Sequence, residues 1–159
     1  MTNDLKIAVF PGSFDPFTQA HFDLVQRGLN LFDQVIVAIG VNSSKKNMFS
    51  LEQRLEMISK TFQDETRVKT VFYRGLTIDF CRDQGAQFIL RGIRNLQDYE
   101  SERAIAQHNK ALNPALETVF LLSPGHLSHI SSTIVREILI NKGNASPFLP
   151  STIWEAVKP

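Results

Sequence analysis

The sequence predicts an α/β fold, a single doubly wound domain over residues 1–159 with a five-stranded parallel sheet and helices on both faces. Two observations lead there. Five short apolar, β-branched runs alternate with segments whose apolar residues recur at helical spacing, the pattern of a parallel sheet covered by helices. No linker, low-complexity stretch or solenoid-period repeat interrupts the chain, and 159 residues is near the commonest size for one domain.

The elements follow in order. The first strand is expected over Leu5–Phe10, and a helix from about Ala20 to Phe32 lines up Phe22, Val25, Leu29 and Phe32 on one face. Gln34–Val41 is the second strand. Ser50 and Gln53 have the spacing of a capping box and open a helix whose Leu51, Leu55 and Ile58 face inward. Val68–Tyr73 is the third strand, followed by a short helix over Leu76–Gln84 that stops at Gly85. Gln87–Leu90 is the fourth strand. A long helix over Leu96–Leu112 ends at Asn113-Pro114, and Glu117–Leu122 is the fifth strand. Ser131–Asn141 reads as a helix ending before Gly143, and Ser151–Val157 as a last helix capped by Ser151, with Trp154 anchoring the C-terminus.

Composition narrows the function. There are 17 basic and 16 acidic residues, a net charge of +1, which gives no support for a nucleic-acid partner. The lone Cys81 forms no internal disulfide and reads as a small buried hydrophobe. The start, MTNDLK, is polar without an apolar signal core, and no apolar run approaches membrane-spanning length. These features predict a soluble, cytoplasmic protein with no membrane partner.

In a doubly wound sheet, ligands bind beyond the carboxyl ends of the strands, where strand order reverses. Four polar clusters lie just after strands: Pro11-Gly12-Ser13-Phe14-Asp15-Pro16 with His21, Asn42-Ser43-Ser44-Lys45-Lys46, Arg91-Gly92-Ile93-Arg94, and His129-Ile130-Ser131-Ser132-Thr133 with Arg136. Together they supply Lys45, Arg91 and Arg94, several hydroxyls and two helix N-termini. Helix N-termini favour anions and guanidinium groups grip phosphate in pairs of bonds, so the expected ligand is rich in phosphate. Carboxylate pairs, a nucleophilic Cys and a zinc-ligand set are absent. Gly12 is expected to let the loop turn tightly beside a ligand. His21 falls in the first turn of a helix, whose positive end disfavours imidazole protonation while one N–H stays available to a phosphate oxygen. The alternative for His21 is a cap or packing residue. Asp15 reads as a brace for the loop, and Phe14, Phe17 and Phe22 as core. Arg136 is read as a phosphate contact or an orienting group, and His108 and His126 as surface or interface residues.

The runs G-S-F-D-P-x-T-x-x-H and I-S-S-T-x-x-R resemble the T/HxGH and ISSTxxR signatures of the nucleotidyltransferase superfamily, which has a Rossmann-like fold. SKKNMFSLEQR and LRGIRNLQDYESE are similar to the corresponding stretches of bacterial phosphopantetheine adenylyltransferases, and the resemblance covers nearly the whole chain. It implies transfer of an adenylyl group from ATP to 4′-phosphopantetheine, with Mg²⁺ arriving on the ATP, in coenzyme A biosynthesis. It also implies a homohexamer and coenzyme A as feedback inhibitor.

The same resemblance implies residue roles. His21, Lys45 and Arg94 would be catalytic. Ser13, where the family usually has Thr, would meet both nucleotide and acceptor phosphate. The Phe14 backbone and His21 would lie on the ATP phosphates, and Gly92, Ile93, Arg94 and Glu102 along the nucleotide. Leu127, Ser128, His129, Ile130, Ser131, Ser132 and Thr133 would embrace adenine and triphosphate. Lys45 and Arg91 would hold the acceptor's phosphate, with Leu76, Thr77 and Asn109 along the pantetheine arm. Two positions depart from the family pattern. Gln19-Ala20 stands where Asn-Gly usually precedes the histidine, and Gly75 where Asp usually precedes the arm leucine. A nicotinamide-mononucleotide or CTP-dependent enzyme of the superfamily is the nearest rival, and a non-catalytic nucleotide sensor the next.

Overall fold

The computed structural model describes residues 5–159; the polar start of the chain, residues 1–4, lies outside the described residues. Five parallel strands form one sheet in the order β3-β2-β1-β4-β5. The strands are β1 (Ile7–Gly12), β2 (Gln34–Gly40), β3 (Val68–Tyr73), β4 (Phe88–Ile93) and β5 (Glu117–Leu122). The helices are α1 (Gln19–Gly28), α2 (Leu51–Thr61), α3 (Thr77–Asp83), α4 (Leu96–Leu112), α5 (Ser132–Ile140) and α6 (Ser151–Val157), with a 3₁₀ turn at Ser146–Phe148. Strand order reverses at β1, so the switch point lies between β1 and β4.

Period-two alternation distributes the core. Ala8 and Phe10 of β1, with Val35, Val37 and Ile39 of β2, face one apolar layer that includes Val25 of α1, Ile58 of α2, Val135 of α5 and Ile153 of α6. Val9, Ile36 and Ala38 face the other way, toward Ile78 and Cys81 of α3 and Leu116. Both faces of the sheet are therefore covered, as expected for parallel strands. Burial pushes the Cys81 thiol up to about 11, in keeping with a packing role. Trp154 packs against the larger layer. No helix among the described residues is long and apolar enough to cross a membrane.

Several boundaries differ from the sequence expectation for local reasons. β1 runs on to Gly12 because Pro11 and Gly12 stay in register with Ala38 and Ile39 of β2. β4 runs on to Ile93 because Arg91, Gly92 and Ile93 pair with Phe120, Leu121 and Leu122. Arg91, Gly92 and Ile93 are thus strand residues, and only Arg94 of that cluster follows the strand. α1 stops at Gly28, earlier than Phe32; a methyl there would sit 2.8 Å from Leu90 Cδ2, so the glycine marks a close helix–strand approach. Leu29 and Phe32 are buried all the same. Ser151 does not cap α6: Pro150 holds the cap position without a side-chain bond, and Ser151 is the first helical residue. The capping box at Ser50 and Gln53 forms in both directions, and Gly85 closes α3 at φ +65°, a conformation that suits glycine.

The sheet feature that matters for function is a split. β1 and β4 pair only at Ala8↔Phe88 and Val9↔Ile89, while β1 stays with β2 to its end. Pro11 has no N–H to add to a ladder. Beyond Val9 the strands part, and the Arg91 guanidinium of β4 reaches across to donate from Nη1 to the Pro11 carbonyl.

Candidate active site at the split between two strands

Two cavities open on this split. The larger, about 350 Å³, is lined on one side by the β1–α1 loop and the start of α1, on the other by Arg91, Gly92 and Arg94, and below by Ile130 to Thr133 at the start of α5. The smaller, about 250 Å³, lies toward α3 and α4 and is lined by Tyr73, Thr77, Ile105 and Asn109 among others. Pro11, Gly12, Arg91 and Glu102 line both. The cleft is therefore forked, and an Arg91–Glu102 ion pair stands at the fork.

The β1–α1 loop is fastened through three of its carbonyls. Arg54 Nη1 donates to the Ser13 carbonyl at 2.6 Å, Arg136 Nη1 to the Asp15 carbonyl at 2.7 Å, and Ser132 Oγ to the Pro16 carbonyl at 2.9 Å. The Asp15 carboxylate is buried and accepts from the Met48 and Phe49 amides at 2.8 and 2.9 Å. Asp15 is thus the loop brace expected from sequence, and Arg136 orients the loop. Phe14 adopts φ 47°, unusual for a bulky residue, and its ring packs edge-on against Phe10 at 5.0 Å. Gly12 needs correction. A methyl at Gly12 would lie 2.8 Å from the Phe14 ring, and the residue sits in β1. The glycine is required by this ring, with no tight turn to supply.

His21 is both cap and cleft residue. Thr18 caps α1, and its backbone N–H donates to His21 Nδ1 at 2.9 Å while the His21 amide reaches Thr18 Oγ1. A backbone amide only donates, so Nδ1 is unprotonated and the neutral ring carries its hydrogen on Nε2. The ring sits among Phe10, Phe14 and Phe17. Its pKa is pushed down to about 3, first by burial and then by the Arg91 and Arg94 charges. The helix end credited in the sequence reading is not the leading cause. The outcome is the same: a neutral imidazole with one N–H donor in a cavity at two helix N-termini.

The opposite wall carries more negative charge than the sequence reading allowed. Glu102 meets Arg91 in a two-point fork, Oε2 to Nε at 2.9 Å and Oε1 to Nη2. Asp98 accepts from Arg94 Nε at 2.9 Å, from its Nη2 and from its backbone N–H. This contact lowers the Asp98 pKa and raises that of Arg94. Asp98 and Glu102 stand four residues apart on α4, hence on one helix face. Both arginines reach the cleft already paired.

Most residues named from sequence gather here. Ser13, Phe14, His21, Arg91, Gly92, Arg94 and Glu102 line the larger cavity, as do Ile130, Ser131, Ser132 and Thr133. Thr77 and Asn109 line the smaller one. Lys45 is exposed on its loop and lines neither, but its Nζ stands 3.4 Å from Ser13 Oγ at the rim. Ile93 and Leu127 are core side chains, which leaves only their backbones to meet a ligand. The Ser128 hydroxyl donates to the Gly125 carbonyl, and His129 is exposed beside Phe148. Leu76 is 60% exposed, outside the smaller cavity. His108 and His126 are exposed.

Arg54 and Asp98 were not singled out from sequence. Arg54 is 4% exposed, with burial lowering its pKa. Its signal was available: it lies three after Leu51 and four before Ile58, a charged residue on the inward face of α2. Asp98 was readable as the carboxylate one helical turn beyond Arg94.

Comparison with known proteins gives the family. Residues 9–138 match the cytidylyltransferase-like family. A phosphopantetheine adenylyltransferase of Christiangramia forsetii is 50% identical over 149 residues, 94% of this chain and 98% of the relative. One from Leptospira biflexa is 42% identical over 152 residues, 96% of this chain and 95% of the relative. In structure, a bifunctional NMN adenylyltransferase/ADP ribose pyrophosphatase from Francisella tularensis superposes with a TM-score of 0.73 at 20% identity, covering 93% of this chain and 46% of that one; that likeness shows the Rossmann-like fold. With the forked cleft, the half-buried neutral histidine and these relatives in place, the chain belongs to the phosphopantetheine adenylyltransferases of the cytidylyltransferase-like nucleotidyltransferase family.

Proposed function

We infer that this chain transfers the adenylyl group of ATP to 4′-phosphopantetheine, forming dephospho-coenzyme A and pyrophosphate in coenzyme A biosynthesis. Family membership supports the activity class. The observation that carries the assignment within this molecule is the forked cleft. One cavity has phosphate-seeking groups, the other a mostly apolar lining with Tyr73, Thr77 and Asn109 among it, and one arginine faces both.

The chemistry follows from the charges. A phosphate monoester has a second pKa of about 6, so near neutral pH the acceptor is largely a dianion and needs no base. A phosphate oxygen of the acceptor attacks the α-phosphorus of ATP, one P–O bond forms, and the bond to the β-phosphate bridge breaks. The obstacle is like-charge repulsion and in-line alignment, so catalysis rests on positioning and on stabilising spread negative charge. Arg91 and Lys45 orient the attacking phosphate. His21 Nε2–H, Ser13, Arg94 and the α5 N-terminus receive the charge that grows on the transferring phosphate and the departing pyrophosphate. Ser13, Phe14, Gly92, Ile93, Glu102 and residues 127–133 hold the nucleotide, and Thr77 and Asn109 the pantetheine arm. Mg²⁺ is taken to enter as part of the nucleotide substrate, carried on the ATP phosphates.

Assembly and regulation are part of the same reading. α4 buries none of its residues and exposes Leu96, Ile105 and Leu112, and β5 exposes Leu122. Apolar surface of this kind supports self-association; the homohexamer is what the family resemblance implies, with sedimentation as its check. ATP and phosphopantetheine as substrates support a cytoplasmic site of action, and coenzyme A, which shares the pantetheine arm, is the proposed feedback inhibitor. The deciding experiment is pyrophosphate release with ATP against a panel of acceptors. Turnover is expected with 4′-phosphopantetheine and none with pantetheine. Turnover with nicotinamide mononucleotide alone overturns the reading.

A further inference from the structure

We propose that Asp15, through its buried carboxylate, is a positioning residue that ties the Lys45 loop to the nucleotide loop and so sets where the acceptor's phosphate stands against ATP; this rests on the function proposed above. The carboxylate belongs to the β1–α1 loop, yet its bonds leave that loop. Asp15 is 3% exposed, and its two oxygens accept from the Met48 and Phe49 amides at 2.8 and 2.9 Å. These amides lie at the far end of the segment that joins β2 to α2 and carries Lys45. Charged hydrogen bonds out of water are strong ones. Lys45 Nζ stands 3.4 Å from Ser13 Oγ, so the two loops meet again at the rim of the larger cavity.

The fastenings also show which loop depends on this clasp. The β1–α1 loop is held without the carboxylate, because Arg54, Arg136 and Ser132 bind the Ser13, Asp15 and Pro16 carbonyls. The Lys45 segment has no such set. Among the described residues, Ser44 and Lys45 bond only back to Asn42 through their backbone, and Asn47 buries its Oδ1 without a partner. Phe49 is also secured by Arg54 Nε through its carbonyl and by packing on the core, whereas the Met48 N–H has only Asp15. Lys45 lies three residues before Met48, which keeps their Cα atoms within roughly 11 Å of each other. Loss of the carboxylate therefore falls on Lys45 and the acceptor, and spares the groups that meet ATP.

The test is pyrophosphate-release kinetics with ATP and 4′-phosphopantetheine, beside calorimetry with ATP, on the wild type, Asp15→Asn, Lys45→Ala and the double variant. Thermal melting confirms folding. In Asp15→Asn one of the two amides faces an NH₂ group in place of an oxygen. The kcat/KM for the acceptor is expected to fall about tenfold, the scale of one lost hydrogen bond to a charged group, with ATP affinity kept within about twofold. In the Lys45→Ala background the same Asp15 change is expected to add less than about twofold, because both act through one ammonium. Should Asp15→Asn fail to fold beside the buried Arg54, one glycine inserted between Lys46 and Asn47 lengthens the tether and leaves Asp15 in place. The same fall in acceptor kcat/KM with ATP affinity kept is then expected. Equal loss for ATP and acceptor, a tenfold effect that persists without the Lys45 ammonium, or an unchanged acceptor kcat/KM overturns the proposal. If the wild type releases no pyrophosphate from ATP and 4′-phosphopantetheine, the functional reading itself fails and the proposal falls with it.

Discussion

On the His21 wall of the cleft the fastenings end on backbone groups; on the arginine wall both guanidinium groups are paired with carboxylates of α4, and only Arg91 also reaches a carbonyl, that of Pro11. The first wall holds the Ser13, Asp15 and Pro16 carbonyls through Arg54, Arg136 and Ser132, and the imidazole through the Thr18 amide. The second holds Arg91 and Arg94 through Glu102 and Asp98. A backbone hydrogen bond in a packed loop has no competitor among the ligands. An ion pair in a phosphate cleft has one. The difference separates a wall held by backbone hydrogen bonds from a wall whose charges are held by side-chain carboxylates.

The largest expected effect breaks the first wall at its tip. His21→Ala should lower kcat by about 10²–10³, the scale for loss of one preorganised donor. ATP affinity measured by calorimetry should change less than about tenfold, because the donor acts where charge grows in the transition state. Stability should also fall, by about 1–2 kcal/mol, since the ring completes the capping box and touches three Phe rings. A kcat unchanged beside a large stability loss reduces His21 to a brace.

The same residue carries a pH signature of stability. Its folded pKa, about 3, lies below the ordinary 6.5. The unfolded chain therefore takes up a proton below about pH 6.5 that the native state refuses. The resulting contribution is complete above that pH and is lost as pH falls toward 3, by up to about 1.4 kcal/mol per pH unit. Urea titrations from pH 7 to 4 should show a shallower decline for His21→Asn than for the wild type. Parallel declines mean that the ring is solvated.

Arg54 tests whether the first wall depends on a buried cation. Arg54→Met strands the Ser13 carbonyl and loosens the loop from Phe49 and Ser50. A loss of about 1.5–3 kcal/mol is expected, with KM raised for both substrates through the displaced Ser13. Arg54→Lys should recover only part, because a single ammonium cannot span the carbonyls that a planar fork reaches. On the second wall Asp98→Asn should be milder. The pair is partly exposed, so kcat/KM should fall by about fivefold or less. The loss should shrink in high salt, whereas the Arg54 effect should not.

How far the sequence carries depends on whether a feature is local. Strand–helix alternation gave the sheet, and capping spacing gave the start of α2, because both are set within a few residues. The positions of Ser13, His21, Arg91, Arg94 and Ser131–Thr133 on one edge followed from the rule for strand ends. The split of β1 from β4 was hidden, since pairing across the switch point depends on residues some 80 positions apart. So were the pairings of Arg91 with Glu102 and of Ser13 with Arg54, which decide whether a basic side chain is a free cation or a neutralised one. Gly12 illustrates the limit. Its ring contact with Phe14 exists only because Phe14 turns back at a positive φ, which no spacing rule announces.

The smallest expected effect concerns the family departure at Ala20. The residue lies in α1 just before His21 and lines the larger cavity, and its φ is not in the left-handed region. No backbone strain therefore calls for glycine there. If the methyl merely forms part of the cavity wall, Ala20→Gly should leave ATP affinity within about twofold and lower stability by roughly 0.5–1 kcal/mol, the ordinary cost of glycine in a helix. A nucleotide that comes against the α1 backbone gives the opposite sign: affinity rises when the methyl is removed, while the stability loss stays the same. Calorimetry with ATP beside a urea melt separates the two. A clear gain in affinity would mean that the fixed wall, stable as it is, stands slightly too close to its ligand in this chain. No gain would mean that the fastened loop already holds the nucleotide clear of Ala20.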